Sequence, residues 1–162
     1  MVRDVGNSMG FEIREDDLTG KEARSLLAFH LEKMRENTPE ENIFALDFNG
    51  LQSPDIVVWT AWSDTEIAGI GALKRLNEHQ GEIKSMRTHP RYLRRGVGEA
   101  LLDHIIANAR IGRLRRLSLE TGAGPAFDPA LALYRKRRFL PGEAFGSYEP
   151  SAFNQFFHLD LH

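Results

Sequence analysis

Residues 86–102 read Met-Arg-Thr-His-Pro-Arg-Tyr-Leu-Arg-Arg-Gly-Val-Gly-Glu-Ala-Leu-Leu, with Arg94 and Arg95 just before Gly96 and Gly98 at the start of an amphipathic run. A helix beginning there presents unpaired backbone N–H groups and about half a positive charge at its end. With no Cβ at Gly96 or Gly98, a ligand can approach that backbone closely, and the two guanidinium groups add charge-assisted contacts. The chemistry such a turn suits is pyrophosphate binding. Two common phosphate loops do not fit. The GxxxxGK[ST] pattern is absent, and a GxGxxG fingerprint would need glycine where Leu101 stands.

The charge distribution agrees with an anion site in this region. Net charge is −2, yet residues 1–83 carry a balance of −8, residues 84–116 a balance of +7, and residues 117–162 a balance of −1. The chain has no cysteine, which excludes a thiol nucleophile, a thiolate zinc site and an iron–sulfur cluster. Six histidines are scattered without metal-ligand spacing, so no metal is expected.

These residues need elements to position them. At 162 residues and 41% hydrophobic composition, with a mean hydropathy of −0.39, the chain suits one globular domain. No apolar run approaches the roughly 18 residues of a membrane span, and the start lacks a signal-peptide pattern, so a cytoplasmic location is expected. Residues 1–9 read as a flexible end before a domain over 10–162. Phe11 to Arg14 suits a strand, and Asp16-Asp17-Leu18-Thr19 offers helix-capping residues. Ala23, Leu26, Leu27, His30, Leu31 and Met34 then share one helix face. Strand patterns over 55–62 and 66–75 flank Ser63-Asp64-Thr65 as a hairpin, and a third covers 82–88. A helix over 96–110 stops at Gly112, and a strand over 114–120 makes a strand–helix–strand unit with a parallel pair. A helix over 128–137 and a strand over 156–161 complete a mixed α/β order.

The loop resembles the R-x-x-G-x-G/A cradle of the GNAT superfamily of N-acetyltransferases, with Leu93 where the family has its first arginine. Residues 82–88 (Glu-Ile-Lys-Ser-Met-Arg-Thr), 117–122 (Leu-Ser-Leu-Glu-Thr-Gly), Ala45-Leu46-Asp47, and Leu133-Tyr134 followed by Phe139 resemble its YsnE-like branch. The likeness runs from about residue 11 to the end. One departure is Arg138-Phe139 where the family usually has Gly-Phe. The resemblance implies a mostly antiparallel sheet with a splayed parallel strand pair and flanking helices. It also implies acetyl-CoA as co-substrate, and direct transfer of acetyl to a primary amine of a small molecule or peptide in a ternary complex. Homodimers are frequent in the superfamily.

The same resemblance suggests roles. Arg94, Arg95, Gly96, Val97, Gly98, Glu99 and Ala100 would cradle the pyrophosphate. Met86 and Thr88, with Arg87 between them, would pair through the backbone with the pantetheine arm, and a backbone N–H of that strand would face the acetyl oxygen. Tyr134 would donate to the leaving thiolate, or simply pack in the core. A protonated amine with the pKa of lysine costs roughly 4 to 5 kcal/mol to deprotonate at pH 7, so a base is needed, and Glu82 corresponds to the glutamate some members use. Otherwise Glu82 is a solvated strand end. His30 borders the acceptor pocket or is a satisfied core histidine, and Asp47 binds a cationic acceptor or caps a helix. Residues 151–155 line the pocket or form a surface loop. The acidic first half hints at a cationic acceptor. Two other functions compete: a non-catalytic acyl-CoA sensor, and a nucleic-acid module using the clusters at 110–116 and 135–138. The latter is disfavoured by a pI of about 6.3 and by the lack of interleaved aromatics. No membrane partner is expected.

Overall fold

The computed structural model describes residues 10–161, so the expectation for residues 1–9 lies outside the described residues. The elements run β1 (Glu12–Glu15), α1 (Lys21–Asn37), β2 (Ile56–Ser63), β3 (Glu66–Arg75), β4 (Gln80–Thr88), α2 (Val97–Ile111), β5 (Arg116–Gly122), α3 (Asp128–Lys136), β6 (Leu140–Pro141) and β7 (Asn154–Asp160). They form one mixed sheet of order β1-β2-β3-β4-β5-β7-β6, antiparallel except for β4 and β5. No helix among the described residues is long and apolar enough to cross a membrane.

Two apolar clusters sandwich the sheet. On one face, Val97, Leu101, Leu102, Ile105, Ile106 and Ala109 of α2 pack with Leu131 and Tyr134 of α3 and with Ile83, Leu117, Leu119 and Phe157 of the strands. On the other, Ala23, Leu26 and Leu27 of α1 pack on Val58, Ile67, Ile70 and Ala72. The apolar periodicity of α1 and α2 is therefore the period of burial, each helix presenting one stripe to the sheet. Gly71 sits where β3 passes under α2. A Cβ there would lie 2.6 Å from Met86 Sδ and 3.1 Å from Ile105 Cδ1, so glycine permits the close approach.

Local corrections have clear causes. Asp16 and Asp17 do not cap α1, whose N-cap is Gly20. Asp16 Oδ1 accepts the Leu18 N–H at 2.7 Å, Asp16 Oδ2 accepts the Thr60 hydroxyl at 2.7 Å, and Asp17 accepts the Thr19 N–H at 3.0 Å. The carboxylates close a tight Asx turn before the helix instead. The two-residue β6 has no strand pattern of its own and exists by pairing Leu140 with His158.

The site is created where β4 and β5 part. They pair at Gln80–Arg116, Gly81–Leu117 and Glu82–Ser118 only. Beyond that point β5 continues with β7 through Gly122–Asn154, while β4 stays with β3. The edge of β4 that faces β5 is thus left with unpaired backbone groups, which must find another partner. A bulge sits in the same stretch: the β3–β4 register slips between Ile70 and Ala72, and Ser85 adopts φ +58°.

Candidate active site

Around the splay lies a cleft of about 170 Å³ lined by α1, β4, β5, α3 and the loops carrying Phe44 and Tyr148. The bulge decides which β4 side chains face it. A regular strand would put Ile83, Ser85 and Arg87 together on one face. With one extra residue the alternation inverts. Met86 turns into the core beside Ile105, and Arg87 joins Glu82 and Lys84 on the α1 side.

The Glu82 carboxylate is buried on the cleft wall. It accepts from the Tyr148 hydroxyl and from Lys84 Nζ at 3.1 Å, and Lys84 also donates to Tyr148 at 3.0 Å. Burial, with the Glu82 charge next, pushes the Tyr148 phenol well above its usual pKa, so it stays a donor. Glu120, two residues past the last β4–β5 pair, also lines the cleft. Burial lifts its pKa to about 7; the Lys84 charge opposes this and the Glu82 charge adds to it. Such a carboxyl is poised to exchange a proton near neutral pH.

Tyr134 lines the cleft from α3 and is 6% exposed. Burial raises its pKa, so the phenol keeps its proton. Its position is set by the end of its own helix. Arg138 N–H donates to Arg135 O at 2.9 Å and Phe139 N–H to Tyr134 O at 3.0 Å, the Schellman pattern. The Phe139 ring meets Tyr134 edge-on at 5.7 Å. Arg138 holds the left-handed position, φ +70°, that glycine prefers, so Arg138-Phe139 makes the same turn as Gly-Phe at a cost in strain.

At the other end of β4, Arg94 and Gly96 adopt φ +61° and +87°, and turn the chain into α2. Val97, Gly98 and Glu99 occupy the first turn, where N–H groups have no partner inside the helix. The Ala100 N–H, in contrast, donates to Gly96 O at 3.0 Å, and the Val97 and Ala100 side chains are core. The Glu99 carboxylate is held by Lys136 at 2.8 Å and Arg137 at 2.6 Å, so only its backbone faces the loop. Arg94 and Arg95 are exposed, Arg95 over the Tyr92 ring at 4.9 Å. A Cβ at Gly98 would lie 3.2 Å from Leu133 of α3 and 3.8 Å from Thr88 Oγ1, which marks how tightly α2, α3 and the end of β4 converge there.

The remaining candidates divide. His30 lines the cleft, buried, and accepts from Arg87 Nε at 3.0 Å through Nδ1. Burial, then the Arg87 charge, pushes its pKa down to about 3, so it is neutral. Asp47 is exposed, outside the cleft lining, and accepts the Gly50 N–H at 2.9 Å to cap a short turn. Residues 151–155 do not line the cleft either; Asn154 and Ser151 bind Asn42 at 2.9 and 3.2 Å. Sequence reasoning missed Glu120, Lys84, Phe44 and Tyr148. A carboxylate at the C-terminal end of a parallel strand was a usable signal for Glu120. Tyr148 and Phe44 lie in irregular segments with none, and meet only in the fold, edge to face at 5.0 Å.

This geometry has close counterparts. The model of the acetyltransferase (GNAT) family matches residues 22–139. The chain is 46% identical over 136 residues to the uncharacterized N-acetyltransferase YsnE of Bacillus subtilis, covering 84% of this chain and 90% of that one. Among solved structures, a Klebsiella pneumoniae protein provisionally named an acyl-CoA N-acyltransferase superposes with a TM-score of 0.78 at 25% identity, covering 95% of this chain and 99% of the other. A GNAT family acetyltransferase from Elizabethkingia anophelis, solved with acetyl-CoA bound, has a TM-score of 0.69 at 16% identity, covering 93% and 98%. Together the splayed β4–β5 pair, the family match and the near-full-length relative identify the chain as an acyltransferase of the GNAT acetyltransferase family.

Proposed function

We propose that the protein transfers acetyl from acetyl-CoA directly to a primary amine of a small molecule, both substrates being bound at once. The observation that carries this is what gathers around the splay: a left-handed arginine-glycine turn at the start of α2, a free β4 edge, and a proton-exchanging carboxyl and a buried phenol lining the same cleft. The chain suits acetyl-CoA along that path. N–H groups of Val97, Gly98 and Glu99, with Arg94 and Arg95, meet the pyrophosphate. The backbone of Met86 and Thr88 pairs with the pantetheine amides, with Arg87 between them contributing main chain only. Acetyl-CoA supplies an activated thioester.

Glu120 removes the proton of the incoming ammonium, since its carboxylate has no cation bonded to it among the described residues, whereas that of Glu82 is tied to Lys84 and Tyr148. Glu82 acts by holding this pair and raising the pKa of Glu120. A backbone N–H of β4 at the bulge faces the acetyl oxygen as negative charge develops. The nitrogen–carbon bond forms, the carbon–sulfur bond breaks, the Tyr134 hydroxyl donates its proton to the departing thiolate, and the second proton lost by the acylated nitrogen restores that hydroxyl. Two of the four cations at 135–138 are spent on α2: Lys136 and Arg137 pair with Glu99, and Arg137 with Asp103 at 2.6 Å. That use favours an enzyme over a nucleic-acid module.

The test is calorimetric titration with acetyl-CoA, CoA and ATP, followed by CoA release with a panel of amines. Micromolar binding of the CoA species without ATP, and turnover of an amine, are expected. Binding without turnover of any amine would favour the acyl-CoA sensor, and no binding of either CoA species would overturn both readings.

A further inference from the structure

Arg87 presents an unusual electrostatic arrangement. Its side chain is partly buried on the cleft wall, and no carboxylate pairs with it among the described residues. Nε is bonded to neutral His30 at 3.0 Å, and the guanidinium lies over the Phe29 ring at 5.9 Å. Its two Nη groups have no protein partner among the described residues. A partly desolvated cation without a counter-charge carries a cost, and a guanidinium held at Nε by a histidine keeps its remaining fork oriented toward the cleft and free of protein partners among the described residues. The wider lining agrees. Lys33, Lys84 and Arg87 face the cleft against Glu82 and Glu120. Lys84 is taken by Glu82, and Lys33 by Glu36, which lies outside the lining. Of the acidic residues described in the first half of the chain, only Glu82 reaches the cleft, so the acidic balance there does not describe the site.

Resting on the acetyltransferase reading, we propose that Arg87, positioned by His30, binds an anionic group of the acceptor, and that the acceptor is a small amine carrying a carboxylate, of which amino acids are the simplest. A carboxylate matches the planar fork in two parallel hydrogen bonds. The side chain leaves β4 on the α1 side, whereas Met86 points into the core with α2, so it serves the acceptor rather than the pyrophosphate turn. A cleft of about 170 Å³ suits a molecule of that size, with Phe44, Phe127 and Met34 offering apolar contact.

The experiment pairs each L-amino acid with its carboxamide, and phosphoethanolamine with ethanolamine, and follows CoA release. At least one acid is expected to exceed its amide in kcat/KM by about 100-fold, the scale of a paired charge-assisted contact. Arg87→Gln should bring that ratio close to one, while Arg87→Lys, which keeps charge without the fork, should retain part of it. The Lys variant also serves if the Gln variant does not fold. Acids and amides used alike, no acid used, a preference unchanged in Arg87→Gln, or preference for phosphoethanolamine would each overturn the proposal. Titration with acetyl-CoA separates the two levels. Failure to bind it removes the acetyltransferase reading and this inference together, whereas binding with amine turnover but no carboxylate preference removes this inference alone.

Discussion

Glu120→Gln changes two observables that a merely structural residue would not couple. Glutamine is the uncharged analogue of the protonated glutamate, so the variant keeps the shape and loses the titration. In the native state the carboxyl has its pKa raised from 4.5 to about 7, mainly by burial. At about 1.4 kcal/mol per pH unit, ionising it in place costs the fold about 3 kcal/mol. Because the folded pKa is the higher one, the native protein holds a proton that the unfolded chain has released between pH 4.5 and 7. That contribution is fully present below pH 4.5, declines as pH rises through about 7, and is then flat. Wild type and variant should therefore have similar stability near pH 4.5, and above pH 8 the variant should be more stable by about 1 to 3 kcal/mol. Activity should move the other way. The wild-type kcat/KM should rise with pH through about 7 as the base ionises, and the variant should lose about 100-fold or more together with that limb. Urea unfolding followed by tryptophan fluorescence reads the first effect, and CoA release between pH 5.5 and 9 the second. An unchanged acid limb in the variant, or a pH-independent stability difference, would refute the assignment of Glu120.

Other expectations follow from the same geometry. Tyr134→Phe should lower kcat on the order of 10²-fold, with the acetyl-CoA Kd from calorimetry changed little, because the hydroxyl acts on the leaving group and the ring keeps its contact with Phe139. Gly96→Glu should abolish acetyl-CoA binding measured by titration, since it sets a side chain at φ +87° and negative charge against the pyrophosphate turn. Arg138→Gly should raise stability to urea by about 1 kcal/mol, because φ +70° is free of strain only for glycine. A lower midpoint would contradict the turn described at the end of α3.

Much of the architecture was readable from local pattern. The stripe of Val97, Leu101, Leu102, Ile105, Ile106 and Ala109 is the buried face of α2, and the hairpin over β2 and β3 falls where turn residues interrupt two apolar runs. The helix start after the arginine-glycine turn was also legible, since it depends on a short stretch with its own conformational preference. Asp47 had two readings of equal weight in the sequence, and its bond to Gly50 places it as a turn cap.

What escaped was the detail set by strand register and burial at the splay. The identity of residues 82–88 gives no warning that Ser85 takes φ +58° and reverses the alternation, yet that single step moves Arg87 from the α2 core to the α1 side of the sheet. Glu120 is an ordinary glutamate until β5 leaves β4 and burial lifts its pKa to about 7. Tyr148 stands 66 residues from Glu82 in the chain and meets it only when the loop after β6 folds over the cleft. Periodicity and capping are properties of neighbours within a few residues, so composition and order dictate helices and turns, the arginine-glycine turn before α2 among them. Strand slip, desolvation and the meeting of distant charges are properties of the packed whole, and they arise only once the sheet has closed around them.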